Sequence, residues 1–283
     1  MVVFFLTGAI YFFCFSKANS STNLQALTLG SLFLGLSVGA RPHFAILAFF
    51  LILTLFCIMR KFEQPTLNQT VSLIMPWAIC MSALLIYNYL RFENPFEFGQ
   101  RYQLTCVNFG ILKTFDIKNI FPNAFFYFLA LPRIQNVFPY FKPNVWFPPP
   151  DFVEGYCPII GLIPSVPFIL LLLLYPKDLL LSHLKGTFNS YTLNSSTFPF
   201  FEFFVTFLSS LVNISLLLLF CGVIIRYATD YLTPLLVTTS ILLFYAYSKL
   251  ENNVLAKKFL IIITILLASV SIYIGSNLSY KNF

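Results

Sequence analysis

The residues best suited to chemistry in this chain are four arginines and the few polar groups around them. Arg91 and Arg101 stand with Glu93 and Glu97 inside YNYLRFENPFEFGQRY (87–102). Arg41 begins the turn Arg41-Pro42-His43, and Arg226 opens the stretch RYATD that ends at Asp230. A guanidinium is permanently charged, and its planar fork of donors grips a phosphate or pyrophosphate through two parallel hydrogen bonds. Aromatic and proline-rich segments beside such groups suit a lipid tail. The combination predicts a lipid-phosphate substrate handled at a membrane surface.

Composition sets the solvent in which this chemistry would run. The chain has 283 residues, is 58% hydrophobic and only 10% charged, and its mean hydropathy is +0.82. A soluble domain carries more charge and less Phe and Leu. The net charge of +7 comes from 17 Lys+Arg against 10 Asp+Glu. No nucleic-acid-binding pattern accompanies it, so it reads as anchoring to anionic lipid on the cytoplasmic side. No CxxC or zinc spacing occurs among the six cysteines, and no metal site is expected. Cys14, Cys57, Cys80 and Cys221 fall in apolar runs and read as packing residues. Cys106 and Cys157 bracket the long central segment and can pair if it faces an oxidising compartment.

A membrane-spanning helix needs about 20 apolar residues. Eight runs approach that standard, at roughly 2–16, 24–40, 43–59, 71–90, 158–175, 200–222, 231–248 and 258–275. The expected architecture is an all-α, multi-pass integral membrane protein, a single polytopic domain over 1–283. Its long outer loop, 91–157, is inserted between the fourth and fifth spans. Alternate connections hold Lys17, Arg60, Lys61, Lys177, Lys185, Lys249, Lys257 and Lys258; the opposite short connections and the tail hold only Arg41, Arg226 and Lys281. The positive-inside rule makes the first set cytoplasmic and turns 91–157 outward. Within that loop, NIFPNAFFYFLAL (119–131) is too short to span and reads as an interfacial helix. The run FPYFKPNVWFPPPDF that follows cannot be helical and is expected to form an extended strap. Pro158, Pro164 and Pro167 are placed at the opening of the fifth span, where prolines cost least.

This topology gathers Arg41, Arg91, Arg101 and Arg226 at one outer mouth, with His43 and Asp230 nearby. Structural readings of the same residues stand beside the functional one. Arg226 and Asp230 are four apart and can pair on one helix end. Arg91 and Arg101 can serve as headgroup anchors or as partners of Glu93 and Glu97. Arg41 can snorkel to the interface, and His43 can be purely structural.

Three blocks carry a family resemblance: GLSVGARPHF (35–44), YNYLRFENPFEFGQRYQLT (87–105) and RYATDYLTPLL (226–236). In this order they resemble segments of bacterial GT-C superfamily membrane glycosyltransferases, the protein mannosyltransferase-like group called family 39, over roughly residues 24–250. The resemblance implies an enzyme of the bacterial inner membrane. It would move a sugar from a polyprenyl-phosphate donor, its lipid partner and substrate, to an acceptor on the extracytoplasmic face. No cofactor beyond that donor is implied. Arg41, His43, Arg91, Arg101 and Arg226 are then the expected phosphate or sugar contacts. Tyr102 and Tyr227 would stack or hydrogen-bond, and Asp230 would orient an arginine or a sugar hydroxyl. The family's catalytic acid lies in a first outer loop just after the first span. Here the first connection, SKANSSTN, has no acid, which leaves Glu97 and Asp230 as fallback bases. It also raises the expectation that the chain begins partway into a larger protein. Two other readings stay open: a non-catalytic membrane subunit or inactive homologue, and a flippase for lipid-linked sugars.

Overall fold

A computed structural model describes residues 2–17, 23–99, 102, 115–138, 140–143, 159–174, 200–223, 225–250 and 253–279. The chain divides into two compact units. One comprises Met1–Asp116, Leu208–Cys221 and Thr229–Pro234; the other comprises Ile117–Phe207, Gly222–Ala228 and Leu235–Phe283.

In the first unit α1 (Val2–Lys17) packs on α2 (Leu24–Ala40), and α2 packs on α4 (Leu67–Phe92). Small residues make these approaches possible, because helices in lipid associate through close van der Waals fit. The Phe33 ring of α2 lies over Gly8 of α1, and the Phe13 ring of α1 lies over Gly30 of α2. The ends of the helices are written in the sequence. Asn23 caps α2 by accepting the Gln25 and Ala26 N–H groups, and Thr66 with Gln69 forms a complete capping box on α4. Such caps satisfy donors that have no partner inside the helix.

The turn between α2 and α3 (Phe44–Glu63) is as tight as its sequence predicts. Proline disfavours the helical conformation of the residue before it. Arg41 is accordingly extended, at φ −150° and ψ 114°, and ends α2. The carbonyls of Arg41, Pro42 and His43 then accept the N–H groups of Phe44, Ala45 and Ile46, which starts α3 at once.

In the second unit the stretch 119–131, expected as a short helix, is largely helical. A 3-10 turn (Ile117–Asn119) leads into α5 (Ile120–Ala124) and a π turn (Phe125–Leu129). The stretch is two-faced: Phe126 and Tyr127 are buried, while Phe121 and Leu129 are exposed. Next comes an antiparallel ribbon of β1 (Pro132–Ile134) and β2 (Phe141–Pro143), in the register Arg133↔Lys142. The extended strap is therefore seen at its start; residues 144–150 lie outside the described residues, as do Cys106 and Cys157. The ribbon leans on α9 (Val254–Ser279), where Asn277 Oδ1 accepts the Tyr140 N–H and Tyr273 meets Phe141 edge-on.

The expected count of eight spans is corrected. Among the described residues three helices are long and apolar enough to cross a membrane: Leu67–Phe92, Tyr227–Lys249 within α8 (Ile225–Lys249), and Val254–Asn277. Leu24–Ala40, Phe44–Cys57 and Phe203–Leu219, the last within α7 (Phe200–Leu219), are apolar but shorter. At 1.5 Å per residue the 17 residues of α2 reach about 25 Å, less than the ~30 Å of a typical hydrocarbon core. The run 158–175 is not a single helix. It forms α6 (Leu162–Ser165), breaks at Val166, and resumes as a 3-10 helix over Pro167–Leu174. Apolarity alone suggested a span, but the ring of Pro167 forces Val166 off the helical path.

Candidate functional site

Arg41, His43 and Asp230 meet in the first unit. Arg41 and His43 are fixed by the α2–α3 turn, and Asp230 lies in the second turn of α8. Arg41 Nη1 approaches Asp230 Oδ2 to 2.9 Å, and His43 Nε2 lies 3.5 Å from the same oxygen. The burial is unequal. The Asp230 side chain is 2% exposed, whereas those of Arg41 and His43 are each 23% exposed. The carboxylate is thus the inner member, and the two cation-capable groups form the rim.

Close approach is not matched by hydrogen-bond alignment. Among the described residues, Asp230 Oδ2 and His43 Nε2 are buried and take part in no aligned hydrogen bond. The Arg41–Asp230 contact is held by charge, with the carboxylate largely desolvated and the guanidinium still partly in contact with the surface. Asn213, on α7, supports the site from behind. Its Nδ2 donates to the Ser209 carbonyl at 2.9 Å and lies 3.4 Å from the Asp230 carbonyl, while among the described residues its Oδ1 has no hydrogen-bond partner. Sequence reading passed over this role. The available signal was an amide in an otherwise apolar run, which in a membrane rarely lacks a purpose.

The other expected site residues are placed differently. Arg91 donates to Tyr87 Oη at 3.1 Å, and its guanidinium sits over the Phe92 ring, 4.9 Å from the centroid. Phe92 in turn stacks on Tyr102 at 5.1 Å with the rings 10° apart. Arg91, Phe92 and Tyr102 form a cation–aromatic stack at the end of α4, and Arg91 pairs with neither Glu93 nor Glu97 among the described residues. Glu97 Oε1 accepts the Gly99 N–H at 2.9 Å, within a loop whose Gly99 has φ +80°. Tyr227 is half-buried in the first turn of α8. Arg101 and the side chain of Arg226 lie outside the described residues. The structure therefore brings together Arg41, His43 and Asp230, and Arg91 with Tyr102. Among the described residues, no cluster of three metal-ligating His, Cys, Asp or Glu side chains occurs.

The trio can do two things chemically. A fixed cation at a rim can receive an anion, and a carboxylate behind it can take a proton from a hydroxyl once the cation is engaged elsewhere. No protein family, curated protein or solved structure matches this chain.

Proposed function

We propose that the chain works in a multi-pass membrane glycosyltransferase, moving a sugar from a polyprenyl-phosphate donor to an acceptor hydroxyl on the extracytoplasmic face. The observation that carries this reading is Arg41 held at a helix turn beside the buried Asp230 carboxylate. That arrangement is a phosphate-receiving cation with a potential base behind it, in a chain with three helices apolar enough to cross a membrane. The placement along α8 supports a surface site. Asp230 and the closing Lys249 are 19 residues apart on one helix, about 28 Å at 1.5 Å per residue, close to the thickness of a hydrocarbon core. Lys249 and Lys257 each lie over a tyrosine ring at the far end, as suits a cytoplasmic interface.

In this reading the acceptor oxygen attacks the anomeric carbon, and the bond to the phosphate oxygen breaks with its electron pair. Arg41 stabilises the charge that develops on the departing phosphate. Arg91, Arg101 and Arg226 are further candidates for phosphate contacts. His43 adds a polar contact at the rim, and Tyr102 and Tyr227 supply stacking surfaces. Asp230 receives the hydroxyl proton, with Glu97 as the alternative base.

A second reading is favoured by one feature: both acids are engaged, Glu97 by the Gly99 N–H and Asp230 by Arg41. A chain whose candidate bases are occupied suits a non-catalytic subunit that binds lipid phosphate. The two separate in one assay, release of polyprenyl phosphate from labelled polyprenyl-phosphate hexoses by the protein in liposomes. The enzyme reading expects turnover that falls roughly a hundredfold or more in Arg41→Gln, in line with removal of one transition-state charge contact. Turnover unchanged by Arg41→Gln removes Arg41 from the site. Binding of the donors without any turnover selects the subunit.

A further inference from the structure

We infer that Asp230 is an internal competitor for the anion-binding face of Arg41, so that lipid phosphate binds by exchange, taking Arg41 and releasing the carboxylate. This rests on the reading of Arg41 as a phosphate contact and adds how that site is gated. Asp230 Oδ2 lies 2.9 Å from Arg41 Nη1, where a phosphate oxygen gripped by the same nitrogen would also sit. The two anions cannot share that position.

The structure makes the exchange feasible in three ways. First, no aligned hydrogen bond holds Oδ2, so the bond geometry that would lock a permanent structural pair is missing. Second, burial is lopsided: Arg41 reaches the surface at 23% exposure, where an arriving anion can meet it, whereas Asp230 at 2% is enclosed. Third, His43 Nε2 already stands 3.5 Å from Oδ2 and, among the described residues, has no hydrogen-bond partner, so it is placed to take up the carboxylate when Arg41 is engaged by phosphate. The consequence is ordered chemistry. The candidate base is masked while the donor is absent and uncovered by the binding of the donor phosphate. No proton or bond changes hands in the exchange itself.

The test uses the purified full chain in detergent with three probes: a polyprenyl monophosphate, the matching uncharged polyprenol, and inorganic phosphate. Asp230→Asn keeps the shape and removes the competing charge. It should bind the polyprenyl monophosphate at least about fivefold more tightly than wild type, the low end of ordinary coupling between sites, with no change for the polyprenol. Arg41→Gln should weaken monophosphate binding roughly tenfold or more, and adding Asp230→Asn to it should restore nothing. A gain shared by inorganic phosphate identifies the bare anion as sufficient; a gain confined to the lipid shows that the tail is required. Equal or weaker binding by a folded Asp230→Asn overturns the exchange. If Arg41→Gln still loses affinity in that case, the phosphate reading survives alone. If no form binds the monophosphate better than the polyprenol, both readings fall. Should Asp230→Asn not fold, carbodiimide labelling of wild-type Asp230, read by mass spectrometry, decides the matter. Labelling rises on monophosphate binding if the carboxylate is released, and unchanged or reduced labelling overturns the proposal.

Discussion

At the scale of single residues, the unequal burial of Arg41 and Asp230 separates two substitutions that remove the same ion pair. Arg41→Ala strands a carboxylate that is 2% exposed, with the His43 ring 3.5 Å away as a polar neighbour. Breaking a buried pair in this way costs about 3–5 kcal/mol. Asp230→Ala instead removes one partner of an arginine that already reaches the surface, at 23% exposure. Thermal unfolding in detergent should therefore place the midpoint of Arg41→Ala clearly below that of Asp230→Ala. The reverse order would show that the carboxylate is better solvated than its burial indicates. The candidates were legible here as residue types, because Arg, His and Asp stand out in an apolar chain. The expected nearness of Asp230 to Arg41 and His43 is seen, at 2.9 and 3.5 Å, whereas spacing alone did not say which arginine the carboxylate would meet.

At the scale of elements, α4 shows a repair that no local pattern announced. Pro76 lies inside this helix, where a proline disrupts the backbone ladder and favours a kink. Ser31 of α2 reaches the backbone beside this proline: its hydroxyl donates to the Leu73 carbonyl at 2.6 Å and accepts the Trp77 N–H at 3.1 Å. Those two backbone groups are the ones that would bond each other in an unbroken helix. One turn further on, Gly35 lets α2 approach Cys80, where an added Cβ would come within 2.7 Å of Cys80 Cβ. Ser31→Ala should cost about 1–3 kcal/mol, since it leaves two buried backbone groups without their partner. A midpoint equal to that of wild type in thermal unfolding would mean that α4 closes its own ladder around Pro76. The caps at Asn23 and Thr66 and the turn at Pro42 were by contrast open to reading, because each acts within three or four residues.

At the scale of the whole molecule, the membrane class follows from hydropathy, and the orientation rests on where the lysines and arginines fall. If α8 crosses the bilayer, Ala228 near its start and Asn253 just beyond its end lie on opposite faces. Since Asp230 touches Arg41, Ala40 must share a face with Ala228. In a background without native cysteines, Ala40→Cys and Ala228→Cys should react with an impermeant reagent from outside intact cells. Asn253→Cys should react only after the membrane is opened. Labelling of Ala228→Cys and Asn253→Cys from one face would remove α8 as a span.

The amino-acid sequence by itself determined that this is an apolar, mostly helical chain of the kind that can cross a membrane, where its tightest turn falls, and which side chains are scarce enough to matter. Those properties come from transfer free energy and from proline and capping preferences, all of which operate within a helical turn or two. Tertiary structure alone decided that Ser31 of α2 bonds to the backbone of α4 beside Pro76, and that one oxygen of Asp230 lies within 2.9 Å of Arg41 and 3.5 Å of His43. Many apolar faces are nearly interchangeable as packing partners, so the pairing of buried polar groups is settled only when particular helices come together.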